Sequence, residues 1–484
     1  MSISTTIKTI QDIMRKDAGV DGDAQRISQL VWMIFLKVFD AREEEYELLE
    51  DNYKSPIPEG LRWRNWAADA EGITGDALLD FVDNALFKTL KELRTTATDA
   101  RGRMIGKVFE DAYNYMKNGT LIRQVINKLN EVDFNKKEQK KQFSEIYEKI
   151  LKDLQSAGNA GEYYTPRAVT KFIVDRVKPQ LGEIVLDPAC GTGGFLTAAI
   201  DYIRQNFQSA DVPEILQRTI RGTEKKPLPY NLCVTNLILH GIDVPEAEHD
   251  NTLARPLRDY SPQERVDVII TNPPFGGMEE DGIEDNFPAT FRTRETADLF
   301  LVLIINLLKE GGRGAIVLPD GTLFGEGVKT RIKEKLLQDC NLHTIVRLPN
   351  GVFNPYTGIK TNLLFFTKGE PTETIWYYEH PYPAGYKSYS KTKPIRFEEF
   401  APEQEWWDNR EENEFAWQVS IADLKANNYN IDIKNPHKVD VEHADLDEML
   451  AEHQKLMAEL GEVRSKLKFE LMEALNDQVD KTIE

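Results

Sequence analysis

Four consecutive residues, Asn272, Pro273, Pro274 and Phe275, offer the most specific chemistry in the chain. The asparagine amide presents an acceptor oxygen and an NH2 donor. The first proline adds a carbonyl acceptor with no N–H of its own, and the second stiffens the turn. The phenylalanine supplies a flat apolar face. Two acceptors beside a stacking platform suit an exocyclic amine on a planar ring. Taken alone, the same four residues equally describe a strand ending in a proline turn. Val268-Ile269-Ile270 just before them is a short β-rich apolar run, which predicts a buried strand whose C-terminal end opens into this loop. In open α/β sheets, ligands sit outside that end of the strands.

A second constellation lies upstream. The run 183–186 predicts a strand, and DPACGTGGF at 187–195 turns it into a helix. Glycines let backbone approach a ligand closely, but the dinucleotide pattern G-x-G-x-x-G fails, because Leu196 stands where the third glycine is needed after Gly191 and Gly193. Asp187 instead sits at the strand tip, where a carboxylate can take an ammonium group. The next strand, 219–222, leads to Glu224, placed to hold two ribose hydroxyls, although a strand-end acid alone is more often solvated. Asn251 falls in the loop 250–253 after a third strand, near where an adenine would lie. An ammonium site, the glycine turn through Thr192, Gly193 and Gly194, and a ribose acid fit S-adenosylmethionine better than a phosphate-bearing cofactor. Ahead of them, Thr165 and Pro166 in EYYTPR at 162–167 predict a helix cap and first helical residue. Two tyrosines before the cap suit a pocket wall as well as a plain helix start.

These residues need a scaffold. The 484 residues suffice for two or three domains with a large core. Helical apolar stripes at 27–38, 121–129 and 143–154 predict a helical N-terminal domain over 1–155. Lys136, Lys137, Lys140 and Lys141 between the stripes read as a solvated face more readily than as a DNA contact. A small-residue linker at 156–161 opens an α/β domain over 156–437, with a strand at 314–318 and a closing antiparallel pair at 344–348 and 362–366. The polar stretch 276–297 reads as a surface loop, or as a lid that orders on DNA with Arg292 and Arg294 near phosphates. Trp376, Tyr377, Tyr378, Trp406, Trp407 and Trp417 read as packing of a peripheral extension. From 438 to 484, Leu446, Met449, His453, Leu456, Leu460, Val463 and Leu467 keep a three-four spacing, the seam of a helix that wants a partner.

Composition narrows the function classes. Lys plus Arg number 60 and Asp plus Glu 80, a net charge of −20, so the chain lacks the basic excess of proteins that grip a duplex alone. Cys190, Cys233 and Cys340 are too scattered for a disulfide framework or a zinc cluster. No metal site, membrane span or signal peptide is expected, and the cytoplasm is the expected compartment.

In this order the segments resemble the DNA adenine-N6 methyltransferase family, and more narrowly the modification subunits of type I restriction-modification systems. The resemblance runs through about residue 437. It rests on EYYTPR, DPACGTGGF, Glu224 and NPPF, with GGRGAIVLPDGTLF at 311–324, RLPNGVF at 347–353, SYSKTKPIRFEEF at 388–400 and NNYNIDIKNP at 427–436 in further agreement. It implies a Rossmann-like α/β methyltransferase sheet. It also implies S-adenosylmethionine held by Glu162, Tyr163, Tyr164, Thr165, Pro166, Arg167, Asp187, Gly191, Thr192, Gly193, Gly194 and Glu224. The target adenine would be flipped from double-stranded DNA and stacked on Phe275, its N6 bonded to Asn272 and Pro273. Two such chains would join one specificity subunit, with a motor nuclease added for cleavage, and the helical tail would dock on the specificity subunit. The rival readings are an amino-methyltransferase for RNA or protein glutamine, and a cofactor-binding scaffold.

Overall fold

Alternation along the central strands decides the architecture. Ala315 and Val317 belong to one buried apolar cluster and Ile316 and Leu318 to another; Leu363 and Phe365 part from Leu364 and Phe366 in the same way. Successive side chains on a strand point to opposite faces, so these strands form a sheet covered on both sides. The computed structural model describes residues 3–131, Tyr147, 164–438 and, in the tail, 457, 460–461, 463–464 and 466–468.

Nine strands lie in the sheet among the described residues: β1 (Val185–Asp187), β2 (Ile220–Glu224), β3 (Glu246–His249), β4 (Val266–Thr271), β5 (Leu308–Pro319), β6 (Cys340–Arg347), β7 (Thr361–Lys368), β8 (Thr374–Glu379) and β9 (Ala416–Ser420). Their order is β3-β2-β1-β4-β5-β7-β6-β8-β9. From β3 to β5 the pairing is parallel, and β7 runs antiparallel to both β5 and β6. Thus 344–348 and 362–366 do pair as the sequence predicts. The β8–β9 ribbon extends the edge, where Trp417 stacks on Tyr377 at 5.3 Å and Trp406 packs on Trp376 and Tyr378. The aromatics of this region are packing residues.

Strand order reverses between β1 and β4, which opens a crevice at their C-terminal ends. One face of the sheet is covered by the helices Thr296–Leu307 and Val328–Asp339. On the other lie Arg167–Val177, Gly194–Asn206 and Pro227–Leu239. The stripe at 27–38 falls in the helix Asp23–Leu49, and that at 121–129 in Gly119–Asn130. These N-terminal helices share the apolar cluster of the second face. Asn231 Nδ2 donates to the Val108 carbonyl at 2.9 Å and Lys107 pairs with Glu248 at 2.5 Å, fastening them to the sheet domain.

The residues with contacts among themselves form two units, Met1–Lys434 and Asn435–Glu484. In the second, the described residues Leu460, Val463 and Leu467 are 45, 62 and 57% exposed, an apolar seam open to solvent. The 143–154 stripe apart from Tyr147, the lysines at 136–141, the linker at 156–161, Glu162, Tyr163 and the seam positions from Leu446 to Leu456 lie outside the described residues. No helix among the described residues is long and apolar enough to cross a membrane.

Candidate active site

The ends of β1 and β4 are tied together by a buried carboxylate. Asp187 closes β1 with 1% of its surface exposed; its Oδ1 accepts from Thr271 Oγ1 at 2.6 Å and from the Ala189 N–H at 3.1 Å. Burial pushes its pKa up to about 7, against the opposing pull of those two hydrogen bonds. Thr271 is the last residue of β4, so this bond fixes the point from which Asn272 departs.

The glycine turn wraps around a second carboxylate. Gly191 and Gly193 adopt positive φ (53° and 79°), and a Cβ on Gly193 would stand 2.9 Å from the Cys233 sulfur. A side chain at either position would strain the turn. Glu224 at the tip of β2 accepts the Gly191 N–H at 2.9 Å through Oε2 and the Lys226 N–H at 2.7 Å through Oε1. Cys190 lies 3.6 Å from Cys233, and that contact together with burial holds its thiol far above the ordinary pKa.

Asn272 faces the glycine turn across a cavity of about 250 Å3, whose walls include Thr165, Asp187, Gly191, Thr192, Gly194, Glu224 and Pro274. The Asn272 Nδ2 donates to Thr165 Oγ1 at 2.9 Å, while its Oδ1 is buried and accepts no hydrogen bond among the described residues. Pro273 is buried and Phe275 half-buried. The Phe275 ring meets Phe353 edge to face, centroids 5.6 Å apart and planes at 77°. Phe353 is itself buried; Asn354 beside it donates to the Tyr389 carbonyl at 2.9 Å, and Tyr382 donates to the Asn350 carbonyl at 3.0 Å.

Not every expected residue borders this cavity. Arg167 lines a neighbouring cavity of about 820 Å3, with Gly194 common to both. Tyr164 is buried beneath Arg167, whose guanidinium lies 5.5 Å from the ring. Pro166 caps the helix Arg167–Val177 and Gly193 caps Gly194–Asn206. Asn251 is one bond removed from the cavity: its Oδ1 accepts the Leu253 N–H and its Nδ2 donates to Glu279 Oε2 at 3.1 Å.

Glu279 is the residue the sequence did not single out, because an acid in a polar loop looks solvated. It is 7% exposed and lines the cavity. Its carboxylate accepts from Lys225 at 3.2 Å, Asn251 at 3.1 Å and Thr296 at 3.1 Å. Burial disfavours the Lys225 ammonium, but pairing with Glu279 and Glu280 prevails and raises its pKa. The surrounding segment holds its own structure. The Glu279 N–H donates to the Arg294 carbonyl at 2.8 Å, the Thr296 N–H to the Gly277 carbonyl at 3.0 Å, and Asn286 anchors on the Leu253 and Ala254 carbonyls. Arg292 pairs with Asp285 at 2.9 Å and Arg294 with Asp281 at 2.7 Å. The reading of this stretch as a disordered surface loop is corrected by these bonds; Arg292 and Arg294, the arginines of the alternative lid reading, each pair with an exposed local carboxylate.

This arrangement of strand-end acids, glycine turn and Asn-Pro-Pro-Phe loop agrees with comparisons against known proteins. The family profile described as N-6 DNA Methylase matches residues 138–445, and that described as HsdM N-terminal domain matches 3–129. The methylase subunit of the type I restriction enzyme EcoEI from Escherichia coli is 62% identical over 478 residues, 97% of each chain. Among solved structures, a modification subunit assigned to a type I restriction enzyme of Vibrio vulnificus YJ016 superposes with a TM-score of 0.82 at 44% identity, covering 91% of this chain and 98% of that one. A chain from a study of complex assembly and conformational transition of the type I restriction-modification system gives 0.80 at 36% identity, covering 96 and 97%. The chain belongs to the N-6 DNA methylase family, as a methylase subunit of a type I restriction-modification system that methylates adenine N6 in DNA.

Proposed function

We propose that the cavity between the glycine turn and Asn272 holds S-adenosylmethionine and that the Asn-Pro-Pro-Phe loop receives an adenine flipped out of duplex DNA. The observation that carries this reading is the Asn272 Oδ1, a buried acceptor that meets no donor among the described residues, at the rim of a cavity walled by the carboxylates of Asp187, Glu224 and Glu279 and by glycine backbone. The donor set fits the cofactor: Asp187 offers charge for an ammonium, Glu224 offers acceptor capacity for ribose hydroxyls, and the Gly191–Gly194 backbone leaves space for close approach. When bound, S-adenosylmethionine supplies a methyl group already carried on a good leaving group.

The residues then have to align rather than activate. Asn272 Oδ1 and the Pro273 carbonyl accept the two N6 protons, which draws the amine toward tetrahedral geometry and aims its lone pair across the cavity. Orientation of this kind supplies most of the acceleration when the electrophile needs no activation. Phe275, braced by Phe353, stacks on the extruded base; such stacking contributes roughly 1–3 kcal/mol per base. The unpairing cost of a few kcal/mol is met by these contacts together with the rest of the DNA interface.

As part of this reading, residues 1–155 form the accessory helical domain, 156–437 the catalytic domain and 438–484 a tail that docks on a specificity subunit. Two such chains serve one specificity subunit, a motor nuclease joins for cleavage, and the assembly works in the cytoplasm. The acidic net charge of −20 supports reliance on a partner for the grip on DNA. The test is transfer of labelled methyl to unmodified duplex, with this chain alone and with its specificity subunit. Transfer that requires the subunit is the expected outcome; equal transfer without it would remove the partner from the account.

A further inference from the structure

Thr165 stands where the sequence predicts a helix cap, and the structure gives its hydroxyl another task. The helix Arg167–Val177 begins one residue later, with Pro166 at the cap and no side-chain cap hydrogen bond among the described residues. A threonine cap ordinarily satisfies one of the first N–H groups of its helix. Here the Thr165 Oγ1 turns instead to Asn272 and accepts from its Nδ2 at 2.9 Å.

That contact anchors the amide at the rim of the cavity, with Nδ2 turned to Thr165 and Oδ1 turned away from it. An asparagine amide can rotate by a half-turn and exchange its oxygen for its NH2 with almost no change of shape. With Nδ2 held by Thr165, the Oδ1 is the atom left over, buried and meeting no donor among the described residues. The opposite rotamer would offer two N–H donors where the substrate amine also brings donors, a repulsive arrangement. The same hydroxyl keeps its own proton, and Thr165 and Asn272 both line the cavity of Asp187 and Glu224.

We propose that Thr165 is a positioning residue for methyl transfer: its hydroxyl anchors the Asn272 side chain through Nδ2, holding the amide where its oxygen meets the adenine N6, and so joins the cofactor cavity to the catalytic acceptor. This rests on the reading of Asn272 as the acceptor for the amine. Its role is distinct from contributing surface to the cofactor site, and the two separate in kinetics. A lost anchoring bond lowers the rate with every site filled; a lost cofactor contact lowers affinity.

The experiment uses the full chain assembled with its specificity subunit, duplex DNA and saturating S-adenosylmethionine, comparing Thr165→Val, Thr165→Ser and Asn272→Ala. Valine keeps the shape and removes the hydroxyl. One hydrogen bond of ordinary strength corresponds to about tenfold, so Thr165→Val should lower the single-turnover rate about tenfold. Thr165→Ser should restore it to within about threefold, and melting temperatures should certify that all three variants fold. Titration with S-adenosylhomocysteine reads cofactor affinity separately. A Thr165→Val rate equal to wild type at saturation overturns the inference, whether or not affinity has fallen. A Thr165→Ser rate as low as that of valine overturns it as well, since the methyl group would then be what matters. If Asn272→Ala itself keeps the wild-type rate, the reading of the acceptor fails; if Asn272→Ala is inactive and Thr165→Val is normal, only the role of Thr165 fails.

Discussion

A buried acceptor with no donor costs roughly 1–3 kcal/mol; Asn272 Oδ1 meets none among the described residues, at the rim of the cavity proposed to hold the cofactor. Asp187 makes a comparable demand. Its carboxyl, pushed up to about 7 by burial, is largely protonated below neutrality, and only the charged form attracts a cation. Binding of the cofactor's ammonium should therefore release a proton at lower pH. Affinity for S-adenosylhomocysteine should fall as pH drops below about 7, by up to roughly tenfold per unit, and level off above it. Asp187→Asn should bind weakly at all pH values; calorimetric affinity that is flat from pH 6 to 8.5 in the native chain would contradict this assignment. Asn272 and Asp187 were legible in the sequence because each follows a short apolar run, so the strand itself announces where it ends; Glu224, after Ile220-Arg221-Gly222-Thr223, was legible only in company with the glycine turn and Asp187. Glu279 and Phe353 were not, because their burial comes from segments distant in sequence: Lys225, Asn251 and Thr296 around the first, Phe275 against the second.

At the scale of elements, the segment between β4 and the helix Thr296–Leu307 is fastened by Glu279, and we predict that it acts as a flap over the cavity. Removing that carboxylate frees Lys225, Asn251 and Thr296 together. Because the Lys225 side chain is 36% exposed, solvent screens much of the ion pair, so the effect should appear in kinetics more than in stability. Glu279→Ala should speed cofactor dissociation about fivefold to tenfold, an estimate from hydrogen bonds to a charged group that stopped-flow displacement can check; an unchanged off-rate would show that the flap does not gate the cavity. Phe353, 3% exposed, supports Phe275 from beneath. Phe353→Ala should cost about 3–5 kcal/mol of stability, as large-to-small core changes do, and should weaken 2-aminopurine fluorescence enhancement at the target base. Sequence periodicity found the parallel strands and the antiparallel β6–β7 pair, since both obey the two-residue rule. It misplaced the start of Arg167–Val177 by one residue, because a threonine before a proline looks like a cap whether or not its hydroxyl is drawn elsewhere. It read 276–297 as a surface loop because no repeating apolar spacing marks that segment, which is held by backbone and side-chain hydrogen bonds, ion pairs and the buried ring of Phe287.

The whole molecule places its chemistry on an acidic chain, −20 overall, with an apolar seam on the tail: Leu460, Val463 and Leu467. If the seam docks on the specificity subunit, Leu460→Glu with Val463→Glu should leave the melting temperature of this chain unchanged and abolish co-purification with that subunit. Retained co-purification would move the docking site elsewhere. The central claim is that adenine N6 is methylated through Asn272, and it is most directly tested by digesting DNA treated with the assembled complex and weighing its nucleosides. The wild-type complex should yield N6-methyladenine as the sole new nucleoside, and Asn272→Ala, with cofactor affinity intact, should yield none. A methylated cytosine, or N6-methyladenine formed undiminished by Asn272→Ala, would contradict the account.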